Sequence, residues 1–426
     1  MRQRMMVKRV TTNIADSMLL SDCFAQRLLA VGRAILVFAF VGALQACAAP
    51  ERLPAVPKGQ LVDASVPGIP EARLYVDGDP EPFERLGLES VRREKAYLEE
   101  QGQAGAMPPA HYLVVSGGGD NGAFGAGLLV GWTKAGDRPE FKLVTGVSAG
   151  ALIAPFAFLG PEYDAKLKEV FTSISADNIF LKRSLVEGFF GDALTDSTPL
   201  FELVGRYANR EMLDAIGQEY ARGRILLIAT TDLDARHPVV WNIGKIAASG
   251  DPKALELFHK VLVASASIPG AFPPVMVDVE VDGTPYQEMH VDGGTMAQAF
   301  LYPPSLDVSE LAEAQGTQRE RYVYIIRNAK LDTDWASVER QTLSIVGRSV
   351  ATLIHSQGIG DLYRMYLQTE KDGVDYNLAF IPPDFTAVHK EEFDTEFMRQ
   401  LFDHAYQMSQ KGYPWQQYPP GYSDGE

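Results

Sequence analysis

"HYLVVSGGGDNGAFGAGLLVGW", His111–Trp132, joins a short apolar run to a glycine-rich turn and then to a run of small and apolar residues. Six glycines fall between Ser116 and Gly127. "HYLVV" reads as a buried strand, and "NGAFGAGLLVGWTKAG" as a helix with a small-residue surface. A turn so rich in glycine at a strand end has two physical uses. Its backbone N–H groups can cradle a phosphate, or they can converge on a developing oxyanion. "GGGDNG" satisfies a loose G-x-G-x-x-G, but no ribose-binding acid closes a dinucleotide unit after the next strand, and no Lys-Ser/Thr of a P-loop follows.

The strand–turn–helix pattern recurs. "FKLVTGV" is a second strand, followed by the apolar helix "SAGALIAPFAFLG". "RILLIATTDLD", "HPVVWNIG", "YQEMHVDGG", "RYVYIIRN" and "YNLAFIPP" read as strands, and "LELFHKVLVASAS" as a helix. After Asp332 a long helix over Asp334–Gln368 and a second over Glu391–Gly412 are expected, with a loosely ordered tail from Tyr413. Alternating strands and helices predict an α/β fold with a mostly parallel, buried sheet.

Between the second strand and its helix lies "GVSAG", Gly146–Gly150, a G-x-S-x-G pentapeptide. Strand–turn–helix is the setting that a nucleophile elbow requires, with Ser148 at the tip and the helix N-terminus beneath it. A structural serine in a tight turn fits the same five residues. "VDGG", Val291–Gly294, places Asp292 at a strand end, where it is either a general base or part of an Asp-Gly turn. His290 shares the strand face of Asp292 and reads as a packed, hydrogen-bonded histidine.

Taken together, the glycine loop, G-x-S-x-G and D-G-G, in that order, resemble the patatin-like phospholipase family. "ASASIPGAFPP", Ala264–Pro274, looks like the family's segment between nucleophile and aspartate. The resemblance covers roughly Tyr112–Pro304. It implies a three-layer α/β/α sandwich and ester hydrolysis by a Ser–Asp dyad, without histidine, metal or cofactor. Ser148 is then the nucleophile and Asp292 the base. Gly117, Gly118 and Gly119 form the oxyanion hole, and Gly122, Gly146, Gly150, Gly293 and Gly294 support the motifs. The substrate implied is a phospholipid or another acyl-ester lipid. One position departs from the family pattern: Asn121, preceded by Asp120, stands where a Lys or Arg is usual. Two other readings stay open. An α/β-hydrolase triad would recruit His355, His389 or His404, and an inactive lipid-anchored envelope protein would use the site only for binding.

The whole chain sets the context. Its 426 residues, 46% hydrophobic, suffice for a large core, and a net charge of −16 excludes the basic face of a general nucleic-acid binder. The two cysteines, Cys23 and Cys47, make no metal-ligand spacing. "RAILVFAFVGALQACAAP" carries an apolar run, Ala34–Leu44, too short to span a bilayer and flanked by Arg27 and Arg33. Leu44-Gln45-Ala46-Cys47 resembles the lipobox of bacterial lipoproteins, which implies lipidation of Cys47 and a place in the cell envelope. Ala48 after the cysteine favours the outer membrane. An ordinary signal peptide cut nearby, or a buried helix, is the alternative. The long stretch before Arg33 is compatible with a start at Met18. The expected organisation is a signal peptide with lipobox over 1–46, a proline-rich tether over 47–82, and a lead-in helix and loop over 83–110. The catalytic domain follows over 111–305, with C-terminal strands and helices packing on it over 306–426.

Overall fold

Successive residues of the central strands go to opposite apolar layers. In β2 (Ala110–Val115), Leu113 and Val115 pack in one core while Ala110, Tyr112 and Val114 pack in the other. In β6 (Ile225–Asp232), Leu226 and Ile228 are divided in the same way from Ile225, Leu227 and Ala229. A side-chain period of two, apolar on both sides, requires cover on both faces of the sheet. The computed structural model describes residues 52–76, 78–103, 105, 107–182, 192–193 and 195–423. Cys23, Cys47 and the apolar run before Cys47 lie outside them.

The sheet also contains β1 (Arg73–Tyr75), β3 (Leu143–Val147), β7 (His237–Asn242), β8 (Val275–Val281), β9 (Thr284–Asp292), β10 (Arg321–Arg327) and β11 (Asp375–Phe380). The order is β1-β7-β6-β3-β2-β10-β11, with β9 paired to β6 and β8 paired to β9. Strands β6, β3, β2, β10 and β11 are mutually parallel. Pairings of β1 with β7, β7 with β6, β9 with β6 and β8 with β9 are antiparallel. Two short strands, β4 (Leu181–Lys182) and β5 (Thr195–Asp196), pair separately.

Helices cover both faces. On one side lie α2 (Gly122–Ala135), α3 (Ala149–Leu159), α8 (Ala254–Ser265) and α11 (Thr395–Ser409), through Phe124, Leu128, Ile153, Phe258 and Phe402. On the other lie α1 (Glu81–Glu100) and α10 (Thr342–Asp372), through Phe83, Leu86, Leu362 and Met365. The remaining helices are α4 (Asp164–Ser173), α5 (Thr198–Tyr207), α6 (Arg210–Ala221), α7 (Ile243–Ala248) and α9 (Val308–Ala314). The result is the expected α/β/α arrangement around a mostly parallel sheet. The small-residue surface of α2 has a packing reason: a Cβ on Gly127 or Gly131 would overlap the backbone of Phe402 or Tyr406 on α11.

Three expectations differ from what is observed. The proline-rich segment read as a tether is docked from Arg52 to Val76. Ser65 exchanges two backbone hydrogen bonds with Glu280 of β8, at 3.0 and 2.9 Å, and Ile69 and Ala72 are buried. Extended chain satisfies its backbone by adding to a sheet edge, which needs no amphipathic pattern of its own. The long helix begins at Thr342 rather than Asp334. The C-terminal tail is packed: Trp415 sits 4.9 Å from Trp132 and 5.1 Å from Tyr324, and Gln416 exchanges backbone hydrogen bonds with Leu378. Aromatic area, not local periodicity, holds it.

The docked segment is fixed by a buried charge. The Arg73 guanidinium pairs with Glu288 of β9 and donates to the Ala64 carbonyl at 2.8 Å. Glu288 also contacts His290 Nε2 at 3.1 Å. Burial alone would raise the Glu288 carboxyl, but His290 and Arg73 hold it below its ordinary value. Arg73→Leu removes one partner and leaves the buried carboxylate with His290 alone. It is expected to destabilise the protein by ~3–5 kcal/mol, seen as a lower urea midpoint. An unchanged midpoint would mean that the Arg73 pair does not hold the segment.

Candidate active site

The parallel strands end together, and the residues of interest lie at those ends. Ser148 follows β3 directly and precedes α3, with φ 54° and ψ −124°. A non-glycine residue rarely holds positive φ, and its cost is met by the surrounding packing. That packing is close. A Cβ on Gly146 would overlap the Gly150 carbonyl, and one on Gly150 would overlap the carbonyls of Val115 and Ser116. The Ser148 N–H donates to Ser265 Oγ at 3.0 Å, and Ser265 Oγ donates to the Ala229 carbonyl at 2.7 Å. The strained peptide is thereby tied to the end of α8 and to β6.

Asp292 arrives from β9, whose antiparallel register sets it opposite Thr230 of β6. Its Oδ2 accepts from Ser148 Oγ at 2.6 Å and its Oδ1 from the Gly294 N–H at 2.7 Å. Both side chains are buried, Ser148 at 7% and Asp292 at 4% exposure. Burial raises the Asp292 carboxyl from 3.8 to about 7, against the opposing hydrogen bonds from Ser148 and Gly294. Gly293 is required by contact, since a Cβ there would overlap the Ala229 carbonyl; a Cβ on Gly294 would crowd Asp292 and Gln298.

Among the described residues, no histidine hydrogen-bonds to Ser148 or Asp292. His290 is fully buried, bonded to Thr230 Oγ1 at 2.9 Å and to Glu288, with its ring edge-on to Trp241. His389 Nε2 lies 2.6 Å from Asp120 Oδ2. His404 packs on Phe385, and His355 is half-buried on α10.

The glycine loop is less uniform than its sequence. The Gly117 N–H donates to the Gln298 carbonyl at 3.0 Å. It is therefore committed, and the expected three-donor set loses one member. Gly117 is needed for space, because a Cβ would press on Ser148 and Gln298. The N–H groups of Gly118 and Gly119 make no hydrogen bond among the described residues. Gly119 has φ +57° and open space where a Cβ would be, and Gly118 lies against Asn328 too closely for any side chain. Gly122 packs against Phe171 and Ala149. Asp120, which precedes Asn121, is held by His389 and by the Phe393 N–H at 2.9 Å.

Three site residues were not singled out in the sequence. Ser265 holds the Ser148 backbone. Asn328, at the end of β10, donates to the Ser116 carbonyl at 2.8 Å and accepts from the Gly125 N–H at 3.0 Å, clamping the loop to α2. Gln298 donates from Nε2 to the Gly294 carbonyl at 2.7 Å, which joins the D-G-G turn to the glycine loop. The polar Asn that ends "RYVYIIRN" and the serines of "ASASIPGAFPP" were the available signals. Their use follows only from the strand order.

An apolar cleft of about 60 Å³ opens at Ser148, lined by Leu152, Phe171, Ile174, Leu203, Phe272 and Phe393 among others. A further cavity of about 40 Å³ shares the walls Leu152, Val170, Leu200 and Leu203. A cavity of about 120 Å³ lies apart from them, between α1 and the starts of β2, β3 and β6, and has no nucleophile–acid pair in its lining. Chemically, the arrangement at Ser148 offers a hydroxyl bonded to a desolvated carboxylate, two unengaged N–H groups nearby, and apolar walls.

Residues 113–302 match the family model described as patatin-like phospholipase. No curated protein sequence matches the chain. Among solved structures, VipD from Legionella pneumophila aligns with 72% of this chain and 67% of its own, at 10% identity and a TM-score of 0.37. ExoU, a type III effector protein, aligns with 72% of this chain and 53% of its own, at 14% identity and 0.30. Human GIVD cytosolic phospholipase A2 aligns with 80% of this chain and 64% of its own, at 12% identity and 0.33. The chain thus spans about half the length of ExoU.

The raised Asp292 carboxyl has a stability consequence of definite sign. Folding favours its protonated form, so its ionisation opposes folding. The penalty is absent below pH 4, grows as pH rises from 3.8 toward 7, and is complete above. Asp292→Asn removes the charge, keeps the acceptor for the Gly294 N–H, and offers Ser148 Oγ an N–H donor in place of the carboxylate acceptor. It should raise Tm at pH 8 and leave Tm at pH 4 unchanged, as read by calorimetry. A lower Tm at pH 8 would show that the carboxylate is not desolvated.

Proposed function

We propose that this protein is a lipid acyl hydrolase working through a Ser148–Asp292 dyad, a reading supported by the match of residues 113–302 to the patatin-like phospholipase family model. The observation that carries the reading is the 2.6 Å hydrogen bond between Ser148 Oγ and Asp292 Oδ2 in a buried, apolar setting. Asp292 takes the hydroxyl proton as Ser148 Oγ attacks the ester carbonyl. An ordinary aspartate is too weak a base for this at neutral pH; one raised to about 7 is matched to it. The oxyanion is held by the N–H groups of Gly118 and Gly119, each such donor being worth ~10²–10³ in rate. The alcohol or lysolipid leaves with the proton. Water then gives its proton to Asp292 and attacks the acyl-enzyme; the acyl–Oγ bond breaks, Asp292 returns the proton to Ser148 Oγ, and the fatty acid leaves.

The substrate class follows from the walls. Leu152, Phe171, Leu203 and Phe272 offer no polar partner to a head group but suit an acyl chain, with the second cavity as its continuation past Leu203. We also propose that Cys47 carries a lipid and holds the protein at the cell envelope, the outer membrane being favoured. Cys47→Ser should abolish metabolic labelling by a fatty acid, and persistent labelling would exclude that cysteine as the anchor.

The catalytic reading is tested on a panel of phospholipids, lysolipids and short-chain esters. Ser148→Ala should reduce hydrolysis to background in a folded protein, and Asp292→Asn nearly as far. The double variant should be no worse, because the two residues act as one unit. Intact hydrolysis in Ser148→Ala refutes the site. Leu203→Phe should narrow the cleft and lower activity on long-chain esters at least about tenfold relative to short ones. An unchanged chain-length profile would place the acyl chain elsewhere.

A further inference from the structure

The first four turns of α10 are almost uncharged and expose an apolar stripe. From Gln341 to Gly360 the only charged side chain is Arg348, with His355 the only other titratable group. Arg348 is engaged by Asp334, whose Oδ2 lies 3.2 Å away. His355 is held below its ordinary value by burial and by Arg327, so it favours the neutral form. Val346, Val350, Leu353 and Ile354 are all exposed, Leu353 at 68%. Their spacing, i, i+4, i+7 and i+8, is one helical stripe, and Ile345 borders it. Trp335, which follows the residue that Arg348 holds, is 89% exposed.

The stripe leads to the active site. Gln357 continues it at i+11, and its Oε1 lies 3.4 Å from Nε2 of Gln298, the residue that joins the D-G-G turn to the glycine loop. At 1.5 Å per residue, the apolar surface reaches ~17 Å outward from Gln357 to Val346. Contiguous exposed apolar surface on a helix that carries little charge is unstable in water and marks an interaction face. Among the described residues, no helix is long and apolar enough to cross a membrane. A stripe of this length suits lying in an interface instead.

We propose that the stripe of α10, Val346–Val350–Leu353–Ile354 with Trp335 beside it, is a surface that inserts into a lipid bilayer and presents the Ser148 site to it. The inference rests on the lipid-hydrolase reading for its choice of partner. It selects a lipid surface over a second copy of the chain because the stripe runs directly into that site. The contact is hydrophobic. A chain of net charge −16, whose one cation between Gln341 and Gly360, Arg348, is already paired with Asp334, gains little from anionic lipid.

The test uses full-length protein carrying Cys47→Ser, so that no acyl anchor contributes, and phosphatidylcholine vesicles in a flotation assay. Binding is expected for this parent and equally for the same chain carrying Ser148→Ala, which separates docking from turnover. Val350→Ser with Leu353→Ser should lower vesicle partitioning about tenfold or more. It should leave Tm and hydrolysis of a water-soluble short-chain ester unchanged. Brominated phosphatidylcholine should quench the parent's fluorescence, and the quenching should be lost in Trp335→Phe. Replacing part of the phosphatidylcholine by anionic lipid should not strengthen binding. Equal flotation of the parent and the double-serine variant would overturn the proposal. So would a parent that fails to float, or a parent dimer in light scattering that the serines dissociate without affecting vesicles. A protein that floats as expected but hydrolyses no lipid would refute the catalytic reading and leave the docking surface standing.

Discussion

The site depends on one backbone constraint, the positive φ of Ser148 between β3 and α3. That conformation turns the hydroxyl toward Asp292 and sets the start of α3 beneath it. It persists because its neighbours leave no alternative. Gly146 and Gly150 permit two backbones to touch, and Ser265 takes up the Ser148 N–H. Residues held in sparsely populated conformations survive when the surrounding structure over-determines them. Here the surroundings are the parallel strands themselves, because β3 is bracketed by β2 and β6 in register. The glycine loop and Asp292 then need only follow the strand ends to reach the same point.

The second constraint is dehydration. A carboxylate with two hydrogen bonds in water would be an ordinary weak base. Removed from solvent, Asp292 is raised to about 7 and becomes suited to accept a proton at neutral pH. The same burial opposes folding once the group ionises, so the proposed function and stability pull apart at this residue. Some other buried carboxylates are paired. Arg73 and His290 share Glu288, and Lys142 and Arg319 share Glu94. Among the described residues no cation pairs with Asp292, which stands where the proposed chemistry is.

Much of the arrangement was legible in the sequence, for identifiable reasons. Strands β2, β3, β6 and β10 are apolar on both faces and flanked by turns, so their type and burial could be read directly. G-x-S-x-G and D-G-G are local patterns whose glycines have local steric causes. What could not be read depends on distant partners. The segment from Arg52 to Val76 has no periodicity because its hydrogen bonds come from β7 and β8. The aromatic residues of the tail gain their meaning only against Trp132 and Tyr324. Gly117 looks like its two neighbours in sequence, yet the Gln298 carbonyl has taken its N–H. Asn328 and Gln298 reach the loop only because β10 lies beside β2 and because Gln298 follows the D-G-G turn.

The central claim is that Ser148 is activated by Asp292 without a histidine. It is tested most directly by the pH dependence of the rate at which a fluorophosphonate modifies Ser148, followed by mass spectrometry of the labelled peptide. The account predicts a rate that rises through a single midpoint near 7, unchanged when His355, His389 or His404 is replaced by alanine. A midpoint that disappears with one of those histidines, or label on a residue other than Ser148, would contradict it.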